Sequence, residues 1–195
     1  MKTISQLIIT MMICLFSIQA WAQSGKLFNT DNQLSSNLAT QVFQDKSGFI
    51  WIATRNGLNN YDGYHITVIK KDMSNFLGLN SNYINSIAQD EKEHILLGTN
   101  NSLLEFTGSE FLKIPMLDSK GGELATYVKQ VYPLKNKDVA VATSGYGIML
   151  KKIDAQECHA MKGEVEKLKY IHKLLEDKRG RLWIITEDGK LYRKE

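Results

Sequence analysis

The sequence predicts an all-β fold assembled from repeated four-stranded antiparallel meanders. Three observations carry this: a repeat with a period in the mid-forties, hairpin signals inside each copy, and β-branched and aromatic runs between them. Placed without a gap at an offset of 45, the stretch beginning at Leu34 and the one beginning at Leu79 share eleven identities, among them Asn37/Asn82, Asp45/Asp90, Ile50/Ile95, Thr54/Thr99, Asn56/Asn101, Leu58/Leu103 and Gly63/Gly108. Two weaker copies follow, and one threonine marks all four: Thr54, Thr99, Thr143 and Thr186, spaced 45, 44 and 43 apart. That period suits a β-propeller blade and is too long for a leucine-rich horseshoe.

Blade one shows the meander most clearly. Val42 to Gln44 is a short apolar run closed by Asp45-Lys46-Ser47-Gly48, a turn of the Asx and glycine kind. Phe49 to Thr54 is rich in residues that favour strands. Asn56-Gly57 is a hairpin signal, Leu58 to Tyr61 a third strand, and His65 to Lys70 a fourth beyond the Asp62-Gly63 turn. Blades are expected over residues 34–78, 79–123, 124–168 and, in part, 169–195, incomplete relative to a seven-bladed ring. The stretch Glu164 to Glu176 has Val165, Leu168, His172 and Leu175 at helical spacing, but the repeat frame makes Tyr170 to Leu175 the innermost strand of blade four, and a strand is expected there.

The first 22 residues stand apart. Lys2 precedes an apolar stretch from Ile4 to Ile18, and Ala20-Trp21-Ala22 offers a small-x-small cleavage site, so residues 1–22 read as a signal peptide and 23–195 as an exported, periplasmic repeat domain. No later stretch is apolar for long enough to span a bilayer. Cys14 follows Ile13, which does not fit a lipidation box; beyond the leader Cys158 stands alone, so no internal disulfide is expected. The net charge of +3, or +2 once Lys2 leaves with the leader, gives no electrostatic case for nucleic acid.

Catalytic machinery is not legible. The four histidines, His65, His94, His159 and His172, have no metal-ligand spacing in the sequence and read as strand or loop residues, and no metal or cofactor is expected. Asp45, Asp90 and Asp177 sit before tight turns and read as backbone caps, without the layout of a calcium loop. Trp51 and Trp183, at one repeat position, read as packing between blades, sugar stacking being the rival. The loops between second and third strands point to the same face as the links between blades. That face gathers Asn37, Arg55, Asn56, Asn82, Asn100, Asn101 and Tyr146, groups suited to the hydroxyls of a sugar, although turns favour asparagine for their own reasons.

The string Leu34-Ser-Ser-Asn37, Gln44-Asp45-Lys-Ser-Gly48-Phe-Ile-Trp51-Ile52, Thr54-Arg-Asn-Gly57-Leu58 and Tyr61-Asp62-Gly63-Tyr64 resembles the two-component regulator propeller repeat. It is similar to the first blade of the periplasmic sensor of hybrid two-component systems. The resemblance implies a non-enzymatic sensor that perceives an oligosaccharide and signals to a histidine kinase module absent from this chain. It also implies a larger ring, so about four blades would leave strand edges open to other chains, including a second copy in a homodimer. A protein-binding scaffold and a propeller lyase or hydrolase are the alternatives.

Overall fold

The structure is a computed structural model that describes residues 25–71 and 78–195. The predicted leader, with Cys14, lies outside the described residues. Blade one is β1 (Ala39–Gln44), β2 (Ile50–Thr54), β3 (Gly57–Tyr61) and β4 (Ile66–Ile69); blade two is β5 (Ile84–Gln89), β6 (Ile95–Thr99), β7 (Leu103–Phe106) and β8 (Phe111–Ile114). Each pairs in chain order as an antiparallel meander. Blade three contains β10 (Tyr127–Pro133), β11 (Val139–Ser144), β12 (Ile148–Lys151) and β13 (Cys158–Ala160), and the two-residue β9 (Met116–Leu117) adds to β13 in parallel. Blade four has three strands, β14 (Ile171–Glu176), β15 (Leu182–Thr186) and β16 (Leu191–Lys194). The ambiguous stretch divides: Glu164–Lys167 forms a short 3-10 turn, and the expected innermost strand follows it. The described blades do not close into a ring.

The four marker threonines clamp the hairpins between second and third strands. Each hydroxyl donates across its turn to a main-chain oxygen: Thr54 to Gly57 at 2.7 Å, Thr99 to Ser102 at 3.0 Å, Thr143 to Gly147 at 2.8 Å and Thr186 to Lys190 at 3.1 Å. All four are buried. The hydroxyl has an acceptor in place, so the threonine satisfies a polar group that burial would otherwise penalise.

The turns between first and second strands repeat as well. Gly48, Glu93, Lys137 and Gly180 occupy one position, with φ of 92°, 67°, 72° and 80°, so the backbone is left-handed whichever residue stands there. Asp45, Asp90 and Asp177 accept main-chain hydrogen bonds in their own turns, as Phe49 N to Asp45, His94 N to Asp90 and Arg181 N to Asp177 show.

The core lies between blades, in three clusters that follow from the alternation of strand side chains. Trp51, Ala53 and Leu58 of blade one meet Ile87, Ile95 and Leu97 of blade two. Leu96 and Leu103 point the other way, against Val128, Val131 and Val141 of blade three. Ala140 and Ala142 then meet Ile171, Leu174, Leu182 and Ile184 of blade four. Trp51 is only 6% exposed and sits edge-on to Phe106 with ring centroids 5.7 Å apart. It is a packing residue. Trp183 projects from the far face of blade four, where Leu175 and Ile185 are exposed and no described residue forms a further blade.

Inner strands are tied to one another by side chains. All four carry a bulge at the same place, between Ala39 and Gln41, Ile84 and Ser86, Val128 and Gln130, and Ile171 and Lys173. The residue after the bulge latches the next inner strand. Gln41 bonds both the N–H and the C=O of Ile87, at 2.9 and 2.8 Å; Ser86 accepts from Val131 N at 3.0 Å; Gln130 accepts from Leu174 N at 2.7 Å. A bulge frees one residue from its ladder and re-aims its neighbour, which here reaches the adjacent blade.

Candidate functional site

The candidate face is the one that holds the second-to-third strand turns and the links between blades. Main-chain bonds join each turn to a link: Arg55 N to Leu38 O at 3.1 Å, Thr126 N to Asn101 O at 3.2 Å, Gly145 N to Lys169 O at 2.8 Å and Glu187 N to Tyr170 O at 2.9 Å. The expected convergence of these segments is therefore present.

Most of the asparagines on this face are engaged in building it. Asn37 accepts from Thr30 N at 2.8 Å, Asn82 accepts from Lys71 N, Asn100 accepts from the Ser81 hydroxyl at 2.8 Å, and Asn101 accepts from the Ser102 hydroxyl at 3.1 Å. Asn56 is exposed at the tip of its hairpin, where its N–H donates to Thr54 Oγ1 at 3.1 Å. Arg55 lies over the ring of Tyr83, 5.6 Å from its centroid. Tyr146, 43% exposed, lines a separate hollow with Asp118, Leu124 and Lys169.

The structure adds a row that the sequence reading missed. Tyr83 and Tyr127 enter the inner strands of blades two and three and meet edge to face, with centroids 6.0 Å apart. Tyr127 donates from its hydroxyl to Asn85 Oδ1 at 2.9 Å, and Lys129 Nζ sits 4.5 Å from its ring. The same ammonium pairs with Glu187 of blade four at 3.3 Å. Beyond it, Tyr170 is 59% exposed and borders an open cleft of about 590 Å³ with Lys169, Glu187, Asp188 and Tyr192. Arg55, Tyr83, Tyr127, Lys129 and Glu187 thus run across all four blades. Partial burial, with Tyr83 beside it, pushes the Tyr127 phenol up to about 12, so it remains a neutral donor throughout the physiological range. A signal was available: the spacings of the marker threonines carry Leu38 to Tyr83, Tyr127 and Tyr170, one repeat position with three tyrosines.

Aromatic faces flanked by cations, a carboxylate and amides are chemically suited to a group that has both C–H faces and hydroxyls.

Comparison with known families finds a match for three of the four blades. The family described as two-component regulator propeller matches residues 33–56, 78–101 and 167–188, within blades one, two and four. The likeness is to the repeat unit, over these three segments of the chain. In blade three Leu134 replaces the turn aspartate, and the turn closes on main-chain bonds, Leu134 N to Asp138 O at 2.8 Å and Lys137 N to Leu134 O at 2.9 Å. No curated protein matches the chain in sequence. Among solved structures, the propeller repeats superpose on the extracellular domain of the hybrid two-component system BT4673 from B. thetaiotaomicron at a TM-score of 0.68, with 18% identity, over 82% of this chain and 24% of that one. The extracellular domain of the hybrid two-component system BT3049 from the same organism gives 0.63 and 23% identity, over 80% of this chain and 23% of that one. Virginiamycin B lyase from Staphylococcus aureus shares the fold at 0.59 with 10% identity, over 80% of this chain and 55% of that one. The chain therefore spans about a quarter of the length of the extracellular domains it resembles. Among the described residues no helix is long and apolar enough to cross a membrane.

Proposed function

We propose that the propeller repeats form the ligand-binding part of an exported, periplasmic sensor, and that they take an oligosaccharide on the face of the second-to-third strand turns. Occupancy would be read by a histidine kinase module beyond these blades. The observation that carries the proposal is the row of Tyr83, Tyr127 and Tyr170 on successive blades, flanked by Arg55, Lys129 and Glu187. Sugar rings stack their C–H faces on tyrosines, while the charged and amide groups beside them bond the hydroxyls. The sequence resemblance leads to the same ligand class, and the solved neighbours are extracellular domains.

Calorimetric titration of the full chain with a panel of oligosaccharides tests it. Binding of at least one glycan is expected, and Tyr83→Ala or Tyr127→Ala should weaken it about 5- to 30-fold, the loss of one aromatic contact of roughly 1–2 kcal/mol. Binding unaffected in both folded variants would overturn the placement, and failure of every glycan would overturn the ligand class. A second reading, a protein-binding scaffold, draws on the exposed Leu175, Ile185 and Leu191 of blade four; it predicts capture of a protein partner that Leu175→Asp abolishes.

A further inference from the structure

At the opposite end of blade two, two buried carboxylates converge on one histidine. In blades one and four the turn aspartate has a strong side-chain donor: Trp51 Nε1 donates to Asp45 Oδ2 at 2.7 Å, and Trp183 Nε1 and Arg181 Nε donate to Asp177 Oδ2 at 3.0 and 2.7 Å. In blade two the tryptophan position is Leu96, which has no N–H to offer. Asp90 keeps its capping bonds on Oδ1, from Lys92 N and His94 N at 2.9 Å each, while Oδ2 faces His94 Nδ1 at 3.7 Å. Glu105, paired across the sheet with Leu96, brings Oε1 to 2.9 Å from the same nitrogen.

The charge balance at this point is unusual. The Asp90 and Glu105 side chains are only 6% and 10% exposed, and among the described residues neither has a lysine or arginine as an ion-pair partner. Two carboxyl groups thus face a single ring nitrogen, which can offer at most one N–H between them. Buried charges are held in proteins by pairing or by a metal. In blade three the acid near this place, Asp138, does have a cation, Lys152 Nζ at 2.7 Å.

We propose that Asp90, His94 and Glu105 form a binding site for a divalent transition-metal ion of the zinc type. One atom from each residue lies within 4.8 Å of the other two. A tetrahedral ion with bonds of about 2.0–2.1 Å holds its ligand atoms about 3.3–3.4 Å apart, and the contacts of 2.9 and 3.7 Å bracket that value. One imidazole with two carboxylates suits zinc better than the all-oxygen shells of calcium or magnesium. The His94 side chain is 33% exposed, so a fourth position is open to solvent. The site lies at the other end of β6 from the glycan face and does not depend on it.

The test uses the full, tag-free chain with Co²⁺ as a visible probe and Zn²⁺ in calorimetric competition. One equivalent of Co²⁺ should give the intense visible band of a tetrahedral centre, displaced by one equivalent of Zn²⁺. Glu105→Gln and His94→Ala should each abolish the band, whereas His159→Ala, which removes the exposed histidine beside Glu157, should leave it intact. Far-UV circular dichroism identifies any variant that fails to fold, and Glu105→Gln, nearly the same in shape, then decides. A wild-type spectrum no stronger than that of aqueous cobalt, or a band that survives both substitutions, would overturn the proposal.

Discussion

Gly98 is the point at which the stacking of blades is most open to challenge. It sits in β6 facing blade three, and a Cβ built there would lie 2.5 Å from Val128 Cγ1 and 3.1 Å from Val128 Cβ. Its backbone is not left-handed, so the obstacle to a side chain is steric alone. Gly98→Ala adds one methyl to a full interface, and overpacking of that kind costs about 1–3 kcal/mol. For a chain of this size each kcal/mol moves Tm by roughly 2–4 °C, so a fall of about 2–12 °C is expected. Val128 is fully buried, and Val128→Ala removes two methyl groups, at about 0.8 kcal/mol each before any cavity cost, or roughly 2 kcal/mol in all. The two changes should not add. The new methyl at 98 enters space that the valine vacates, so the double variant should be about 1–2 kcal/mol more stable than the sum of the singles. Urea unfolding of the four proteins, followed by circular dichroism, measures the cycle. Additive effects, or an innocuous Gly98→Ala, would refute the packing of β6 on β10.

Other consequences follow from the same geometry. Lys137→Gly should stabilise the chain by a few tenths to about 1 kcal/mol in urea unfolding, because relief of a left-handed Cβ exceeds the entropy of glycine and the exposed pair with Glu91 is worth little. Asp177 is held well below the usual carboxylate range by the Trp183 indole N–H, then by Arg181, and Asp188 is held at about 2 by the Lys190 ammonium, then by Thr186. Both folded values lie below the unfolded one of about 3.9, so their stabilisation is present above that pH and drains away as pH falls below it. Acid titration of stability should therefore steepen below about pH 4, and Asp177→Asn should flatten it; an unchanged acid limb would contradict the assignment. Burial pushes the Cys158 thiol up to about 12, so alkylation mapped by mass spectrometry should leave it unmodified at pH 8 until urea unfolds the chain.

The repeat made the fold legible before any coordinate. Thr54, Thr99, Thr143 and Thr186 mark the period because each closes a hairpin, and the Asp-x-x-Gly turns mark it because the left-handed position and the capped N–H groups recur. Blade three was hardest to read because Leu134 takes the aspartate's place, and main-chain bonds with the Asn136 and Asp138 side chains hold the turn instead. Glu164 to Glu176 read two ways because both are partly realised, a single 3-10 turn and then a strand. The candidate site was legible only as a face. Asparagine was conspicuous in the turns, yet Asn37, Asn82 and Asn101 spend their side chains on the loops themselves. The tyrosine row was hidden because its members lie at the start of the inner strands, Tyr127 on the first residue and Tyr83 and Tyr170 one residue before, and the position is Leu38 in blade one. The Asp90, His94 and Glu105 cluster depends on the register that sets Leu96 opposite Glu105, and no spacing along the chain expresses that pairing.

The most direct test of the account is hydrogen exchange of the full chain with and without the glycan panel, read by mass spectrometry. The account predicts slowed exchange at residues 55–57, 83–86, 100–102 and 127–130, on the face of the tyrosine row, with turns 45–49 and 90–94 at the other end unchanged. Protection confined to those opposite turns, or none on the tyrosine face at saturating glycan, would contradict it.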